Sequence, residues 1–263
     1  SLFLILQNKF FYFFLYFSWR CNRCGKLQSM YRILIIFYFI IANSAFSEVI
    51  YHEKKYPKGD GPFPAVILLH TSGGFKSDAY IKDRGEFFLR EGFAIYAPDF
   101  FRRHGITPKT RLKTFTTFRE NIEQELLEIV KLVKKDPKIN PNNVFVVGFS
   151  NGGFWATYLS STEAVNAASS HYGVWQFGGP KNLTKNYPVK YLKNKCSPLL
   201  VLHPKKDLVQ KFKFVKPEIN KAVKKCKNIK VHIYDEGGHN WGSSKYKGGV
   251  GYNPSIYKDA MKR

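Results

Sequence analysis

Short apolar runs alternate with amphipathic stretches along most of this 263-residue chain. The continuous apolar run 65–69 predicts a strand covered on both faces, whereas 118–134 has apolar residues at spacings of three and four, which predicts an amphipathic helix. Because strands and helices alternate, the sequence predicts an α/β fold with a mostly parallel central sheet and helices on both faces. The other predicted strands are 49–56, 93–96, 144–147, 165–172, 199–202 and 229–234, and the other predicted helices are 84–91, 154–161 and 212–225.

A G-x-S-x-G motif lies at 148–152, between a predicted strand and a predicted helix. Gly148 and Gly152 lack a Cβ, so they allow a sharp turn that holds Ser150 clear of the backbone. A serine held in this way can act as a nucleophile, and the first amides of the following helix point at whatever binds there. The motif alone is also compatible with a structural turn, but the flanking strand and helix favour the nucleophile.

Two other candidate residues, Asp207 and His239, also come just after predicted strands. Loops beyond the carboxyl ends of parallel strands gather at one edge of the sheet, so the chain order Ser150, Asp207, His239 predicts a catalytic triad. In that triad the histidine is the general base and the aspartate orients it. The alternatives are a structural aspartate, with Asp235 as the nearest competing acid, and a packed loop histidine.

The predicted strand 65–69 runs into the loop 70–74, which contains two glycines. Backbone amides in such a loop can face a ligand, and we therefore predict that the N–H groups of Ser72 and Asn151 form an oxyanion hole. His70 is expected to brace this loop. A tight surface turn is the alternative interpretation.

Several motifs in this order resemble those of the dienelactone hydrolase family of α/β-hydrolases. They are the residues 148–153, the residues 97–103, the loop 203–207 and the pair Gly238-His239. The resemblance runs from about residue 49 to residue 260 and implies an α/β-hydrolase fold that cleaves an ester or lactone bond without a metal or a cofactor.

The resemblance also implies a role for Arg103, which stands where the family has an arginine that binds the carboxylate of the substrate. A surface charge is the alternative. The chain departs from the founding enzymes of the family in having Ser150 where they have a cysteine nucleophile. It also has Thr71 where they have a glutamate, and Ser243 and Ser244 where a second arginine would follow the histidine.

Together these features predict a serine hydrolase that cleaves a small ester or lactone through an acyl-enzyme. Two alternatives stay open. A peptidase or acyltransferase can use the same triad, and a catalytically silent relative can bind a partner or a surface polymer through its basic face.

The charge of the chain favours anionic surfaces or anionic substrates. There are 42 Lys and Arg residues against 19 Asp and Glu residues, which gives a formal net charge of +23. A charge of this size can indicate nucleic-acid binding. The lysines are scattered, however, and the sequence has no helix-turn-helix, zinc-finger or RNA-binding signature, so nucleic acid is not a predicted partner.

The first 47 residues are predicted to lie outside the fold. Residues 1–29 are interpreted as an upstream translation artefact, with the natural start at Met30. Residues 30–47 have the layout of a secretory signal peptide, with a short positive region, a ten-residue apolar core at 33–42 and a small-residue region. Cleavage leaves a domain at 48–263 that is secreted or periplasmic and has no stable membrane insertion. An uncleaved anchor is the alternative.

The four cysteines fall into two pairs. Cys21 and Cys24 form a C-x-x-C with no second pair of ligands, so no metal site is predicted. Cys196 and Cys226 flank one predicted strand and helix, and in an oxidising compartment they are predicted to form a disulfide. Two buried thiols are the alternative.

Overall fold

The computed structural model of the protein describes residues 51–75, 79–177, 186–241 and 252–263. The predicted upstream segment 1–29 and the predicted signal peptide 30–47 lie outside the described residues. The strands are β1 (Tyr51–Lys55), β2 (Phe63–Leu69), β3 (Ala94–Pro98), β4 (Ile139–Phe149), β5 (Ala167–His171), β6 (Leu199–Pro204) and β7 (Ile229–Tyr234). The helices are α1 (Ala79–Arg90), α2 (Arg119–Lys135), α3 (Asn151–Ser161), α4 (Phe212–Lys225) and α5 (Pro254–Lys262), and short 3-10 turns lie at Arg102–His104, Arg111–Phe115 and Pro188–Lys190.

The seven strands form one sheet in the order β1-β3-β2-β4-β5-β6-β7. β1 is antiparallel to β3, and every other neighbouring pair is parallel. Parallel neighbours need a crossover connection, which a helix usually supplies. This topology confirms the predicted α/β fold and its mostly parallel sheet.

Alternate side chains of β2 enter two separate hydrophobic clusters, one on each face of the sheet. Ala65, Ile67 and Leu69 belong to the cluster that contains the apolar sides of α2, α3 and α4. Val66 and Leu68 belong to the cluster that contains residues of α1 and α5. Because successive side chains of a strand point to opposite faces, helices cover both faces of the sheet. The predicted placement of helices on both faces is therefore correct.

Two elements, β4 and α5, differ most from the sequence prediction, and α1 also begins earlier than the predicted helix 84–91. β4 is much longer than the predicted run 144–147, because its first half pairs Ile139 with Phe63 of β2 and then runs through mostly polar, exposed residues that have no apolar signal. The helix α5 was not predicted. It begins with an Asn-Pro pair, and the side chain of Asn253 accepts a hydrogen bond from the amide of Ile256 at 3.0 Å. An Asn cap followed by proline is a helix-start signal that the sequence did contain.

A disulfide joins Cys196, just before β6, to Cys226, just after α4, with their Cα atoms 6.2 Å apart. Both residues are buried, and the side chain of Asn228 donates a hydrogen bond to the carbonyl of Cys196 at 3.0 Å. The pairing that the sequence predicts is thus present in the structure. It fixes the chain segment that leads into β6 against the end of α4.

A charged hydrogen-bond cluster joins β1, β3 and the end of α2. Asp136 Oδ2 accepts hydrogen bonds from Lys54 Nζ at 2.5 Å, Tyr56 Oη at 2.5 Å and Tyr96 Oη at 2.8 Å. Burial by itself raises the pKa of Asp136, but the hydrogen bonds from Lys54 and Tyr56 outweigh it, together with the backbone amide of Lys138. The net effect holds the pKa of this carboxyl well below its usual range, so the charged form stabilises the fold.

Replacing Asp136 by asparagine is expected to lower the free energy of unfolding at pH 7 by about 2 kcal/mol, because hydrogen bonds to a charged group typically contribute about 1.5–3 kcal/mol. The pKa of the carboxyl is lower in the folded state than in the unfolded state. The stabilisation is therefore present above about pH 4 and is lost as the pH falls further. Urea unfolding at pH 7 and pH 3 measures the effect. An equal difference between the variant and the wild type at both pH values would contradict this assignment.

Candidate active site

Ser150 lies in a strained turn between β4 and α3. Its backbone has φ 52° and ψ −107°, and a positive φ is uncommon outside glycine and costs about 1–3 kcal/mol. Surrounding hydrogen bonds hold this conformation. The amide of Ser150 donates to the carbonyl of His171 at 3.0 Å, and its own carbonyl accepts from the amides of Gly153 and Val174, both at 3.0 Å.

Gly148 and Gly152 are needed because the backbone on both sides of the serine is crowded. A methyl group on Gly148 would overlap the carbonyl of Gly152, and a methyl group on Gly152 would overlap the carbonyl of Leu69. The amide of Gly152 also donates to the carbonyl of His70 at 3.0 Å. The spacing G-x-S-x-G therefore places the end of β2 directly against the first turn of α3.

The three predicted triad residues form one hydrogen-bonded series. The hydroxyl of Ser150 lies 2.8 Å from His239 Nε2, and His239 Nδ1 lies 2.8 Å from Asp207 Oδ2. All three residues are 5% exposed or less, so little water competes for these bonds. The competing acid Asp235 is exposed and pairs with Lys205 at 2.5 Å, so it is not the carboxylate beside the histidine.

Asp207 is held as a carboxylate by several donors. Its Oδ1 accepts hydrogen bonds from the amides of Val209 at 2.8 Å and Gln210 at 2.7 Å. Burial alone raises the pKa of Asp207, but the hydrogen bond and the charge of His239 outweigh it and lower the pKa below its usual value. The charged carboxylate accepts a hydrogen bond from the Nδ1–H of His239, which leaves Nε2 without a proton. This Nε2 faces the hydroxyl of the serine, which is the arrangement that a general base requires.

A second path of hydrogen bonds, which the sequence did not predict, connects Asp207 to Ser150. Its centre is the buried side chain of Gln210, which directly follows the acid loop. The amides of Trp175 and Gln176 donate to Gln210 Oε1 at 3.1 and 3.3 Å, and Gln210 Nε2 donates to the carbonyl of Gln176 at 2.9 Å. The amide of the preceding residue, Val174, donates to the backbone carbonyl of Ser150. The segment 174–176 therefore connects Gln210, which follows Asp207, back to Ser150, so the hydrogen bonds of the site form a closed ring.

Replacing Gln210 by alanine is expected to lower kcat for an ester by about 10- to 100-fold, because a displacement of about 1 Å in the acid or the base can cost 100-fold. Gln176→Ala is the matched control. Gln176 contacts Gln210 through backbone groups, so the side chain of Gln176 can be removed without breaking these hydrogen bonds. Steady-state kinetics of both variants, with a kcat profile against pH, measures the effect. Equal kinetics in the two variants would remove Gln210 from this role.

His203 supports the same loop from inside the protein. Its Nε2–H donates to the carbonyl of Gln210 at 3.0 Å and lies 3.9 Å from Asp207 Oδ2. Burial is the main influence and lowers the pKa of His203 to about 4, so the ring is neutral at pH 7. A neutral donor at this position supports the acid loop without placing a positive charge beside the triad.

The two predicted oxyanion-hole residues are neighbours in the structure. The side-chain nitrogen of Asn151, a fully buried residue, lies 3.4 Å from Ser72 Oγ and donates to Thr114 Oγ1 at 3.1 Å. Thr114 in turn donates to the carbonyl of Arg111 at 2.9 Å. The amide of Asn151 is at the amino terminus of α3, where the helix dipole favours negative charge. The oxyanion role of the two backbone N–H groups stays a prediction.

His70 braces the loop that carries Ser72. Its ring is stacked on that of Phe100, with the ring centroids 3.9 Å apart and the planes 8° apart, and Nδ1 lies 2.8 Å from the carbonyl of Thr71. Its Nε2 lies 3.6 Å from Asp99 Oδ1. This fixed ring position holds the end of β2 in place beside α3.

Arg103 is exposed on the 3-10 turn Arg102–His104. It borders a surface depression, and none of the triad residues lines that depression. Its predicted binding of a substrate carboxylate stays a prediction. The other residues of the depression are His104, Asn121, Gln124, Glu125 and Glu128.

Within the described ranges, no three His, Cys, Asp or Glu side chains are grouped in a way that could hold a metal ion. Among the helices of the same ranges, none combines the length and the apolar character needed to cross a bilayer.

Three features together define an α/β-hydrolase. They are the strand order of the sheet, the strained serine after β4, and the buried hydrogen-bonded series of Ser150, His239 and Asp207. Residues 51–263 match the model of the dienelactone hydrolase family, and the chain belongs to that family.

Two relatives are similar in sequence over part of the chain. A Synechocystis sp. protein named "Putative carboxymethylenebutenolidase" is 31% identical over 129 residues, which are 44% of this chain and 51% of that protein. "Esterase EstD" of Thermotoga maritima is 33% identical over 102 residues, which are 36% of this chain and 23% of that protein. The chain therefore matches about half or less of the length of these relatives.

A solved structure shares the fold. The crystal structure of a "Putative Dienelactone Hydrolase" from Klebsiella pneumoniae superimposes with a TM-score of 0.65 at 20% sequence identity. The superposition covers 78% of this chain and 86% of the other.

Proposed function

We propose that the protein is a serine-dependent carboxylic ester hydrolase that cleaves a small ester or lactone through an acyl-enzyme. The observation that carries this proposal is the unbroken hydrogen-bonded series from Ser150 Oγ through His239 to the carboxylate of Asp207. Family membership and the names of the two relatives, an esterase and a carboxymethylenebutenolidase, support ester or lactone cleavage.

In the first half of the reaction, Ser150 Oγ attacks the carbonyl carbon of the ester while His239 Nε2 takes the hydroxyl proton. The charged Asp207 stabilises the imidazolium that forms. The carbonyl oxygen becomes an oxyanion, which the N–H groups of Ser72 and Asn151 would receive. One such donor is typically worth about 3–4 kcal/mol.

Collapse of this intermediate breaks the bond to the leaving oxygen, which takes the proton from His239 and departs as an alcohol. A water molecule then attacks the acyl-serine, and the histidine removes a proton from that water. Release of the carboxylic acid returns the proton to Ser150 Oγ. In a lactone the alcohol and the acid are parts of one product, so the ring opens and a hydroxy acid leaves.

The proposal includes export of the protein to an oxidising compartment. Two features support it. Residues 30–47 have the layout of a signal peptide, and Cys196 and Cys226 are joined in a disulfide, which is the form that an oxidising compartment preserves. Amino-terminal sequencing of the protein recovered outside the cytoplasm tests this part. An intact segment 33–42 in the recovered protein would count against cleavage.

A substrate panel tests the proposed reaction. The wild-type protein is assayed with p-nitrophenyl esters of graded acyl length, with small lactones, and with the p-nitroanilide that matches the best ester. We expect the highest kcat/KM for a short ester or a lactone and little turnover of the anilide. Preferred cleavage of the anilide, or of peptides, would assign the site to a peptidase. Products formed with added amine acceptors would indicate an acyltransferase.

A further inference from the structure

Exposed apolar side chains occur on two chain segments that are hydrogen-bonded to residues of the candidate site. Leu208 is 56% exposed, Val209 48% and Phe214 52%, and all three follow the triad acid within seven residues. Leu112, 52% exposed, is in the 3-10 turn Arg111–Phe115. Isolated apolar residues on a surface are common, but a group of them beside a site is typical of an interaction surface.

Hydrogen bonds and core packing hold the backbone that carries these apolar side chains, so the side chains stay exposed in the folded protein. The amide of Val209 donates to the carboxylate of the triad acid, and α4 buries Val215 and Ile219 against the core. The turn that carries Leu112 is anchored by Thr114, which accepts the hydrogen bond from the side chain next to the candidate nucleophile. Both segments therefore present their apolar side chains from rigid supports at the border of the site.

Basic residues are close neighbours of these apolar residues in the sequence. We call the combined set the rim, and it consists of Leu112, Leu208, Val209 and Phe214 with Arg111, Lys113, Lys211, Lys213 and Lys216. All five basic residues of the rim are exposed. The ammonium group of Lys213 lies 5.0 Å from the ring centre of Phe214, so one cation and one apolar group are presented together.

No carboxylate among the residues that the structure describes neutralises the basic residues of the rim. Among the described residues, none of the five pairs with a carboxylate, whereas the neighbouring Lys205 and Lys206 pair with Asp235 and Glu236. The guanidinium of Arg111 donates to the backbone carbonyl of Pro108 at 2.8 Å. The rim therefore combines apolar side chains with uncompensated positive charge.

We propose that the rim docks the protein on an anionic lipid bilayer, beside the candidate active site. Apolar side chains bind below the headgroups, and basic side chains bind the anionic headgroups themselves. A bilayer surface satisfies both kinds of group, whereas a soluble polyanion satisfies only the charges. Docking goes beyond the proposed hydrolysis and does not depend on it, but it would place the site where amphiphilic esters are found.

A tryptophan placed in the rim reports this contact without any need for turnover. The full-length chain is prepared with Leu208→Trp, and with Leu132→Trp on α2 as a matched control, since Leu132 is also exposed. The fluorescence of the unsubstituted chain is subtracted from that of each variant. With vesicles of brominated phosphatidylglycerol we expect quenching at position 208 only, and with brominated phosphatidylcholine much less at either position. Circular dichroism and thermal melting check that both variants fold.

Charge reversal tests the basic part of the rim. We expect reversal of three lysine charges in the Leu208→Trp chain to weaken vesicle binding by at least about 100-fold, because each basic group near an anionic leaflet contributes about fivefold to the affinity. The substitutions are Lys211→Glu, Lys213→Glu and Lys216→Glu. The control changes Lys58, Lys131 and Lys230 to glutamate, which alters the net charge equally outside the rim.

Three results would overturn the proposal. The first is no quenching at position 208, the second is equal quenching at position 132, and the third is equal weakening by both sets of charge reversals. A fluorescence change at position 208 with dextran sulfate but not with vesicles would also overturn it, because the rim would then bind a soluble polyanion. None of these results depends on whether the protein hydrolyses esters.

Discussion

Replacing Ser150 by alanine is expected to lower kcat for a short p-nitrophenyl ester by about three to six orders of magnitude. The substitution removes the oxygen that attacks the carbonyl carbon, and triad members act as a unit, so the loss of one of them removes most of the catalysis. The activity that remains would come from the predicted oxyanion donors and from substrate binding. Initial-rate kinetics with an active-site titration of the wild type gives the size of the loss.

The control for this variant is Ser161→Ala at the end of α3. Within the described part of the chain, the hydroxyl of Ser161 donates to the carbonyl of Tyr158 in its own helix, at 2.6 Å, so its removal is expected to leave kcat nearly unchanged. Thermal melting of both variants shows whether the fold is retained. Turnover by a well-folded Ser150→Ala protein at more than about a tenth of the wild-type rate would contradict the nucleophile assignment.

Replacing Asp207 by asparagine is expected to lower kcat by about four orders of magnitude at neutral pH. The oxygen of the asparagine can still accept from the amides of Val209 and Gln210, so the loop is retained. Its nitrogen then faces His239 Nδ1 and donates to it, which forces the proton onto Nε2. A protonated Nε2 cannot accept the proton of the serine.

A kcat profile against pH distinguishes this mechanism from simple misfolding. If the histidine is held in the wrong tautomer, activity is expected to recover partly at high pH, where hydroxide can replace the base. Asp235→Asn is the control, because Asp235 is exposed and pairs only with Lys205 among the described residues. A small effect of Asp207→Asn combined with a large effect of Asp235→Asn would assign the acid to the other residue.

Much of the fold could be predicted because apolar runs and periodicity determine it locally. The run 65–69 forms the carboxyl-terminal part of β2, and 212–225 and 229–234 were predicted with the bounds that α4 and β7 have. These segments bury residues at regular spacing, so their pattern is visible in the sequence. The first half of β4 pairs at Ile139 and then carries mostly polar, exposed residues before the apolar run begins, which leaves no such pattern.

The three residues of the candidate triad could be found because a nucleophile at a crowded turn needs glycines, and because loops after parallel strands meet at one edge of the sheet. Gln210 and His203 could not be found in this way. Gln210 bonds to the backbone of a segment distant in sequence, and His203 bonds to the backbone carbonyl of Gln210 itself. Any residue type can supply such backbone groups, so no pattern marks these two side chains. The predicted leader at 30–47 stays a prediction.

The most direct test of the proposed mechanism is mass spectrometry of the wild-type protein after reaction with a fluorophosphonate. A single adduct is expected, on the peptide that contains Ser150, and it should be lost in His239→Ala because the serine is then no longer activated. An unlabelled Ser150 in a protein that still hydrolyses esters, or an adduct on a different residue that accounts for the activity, would contradict the proposed mechanism.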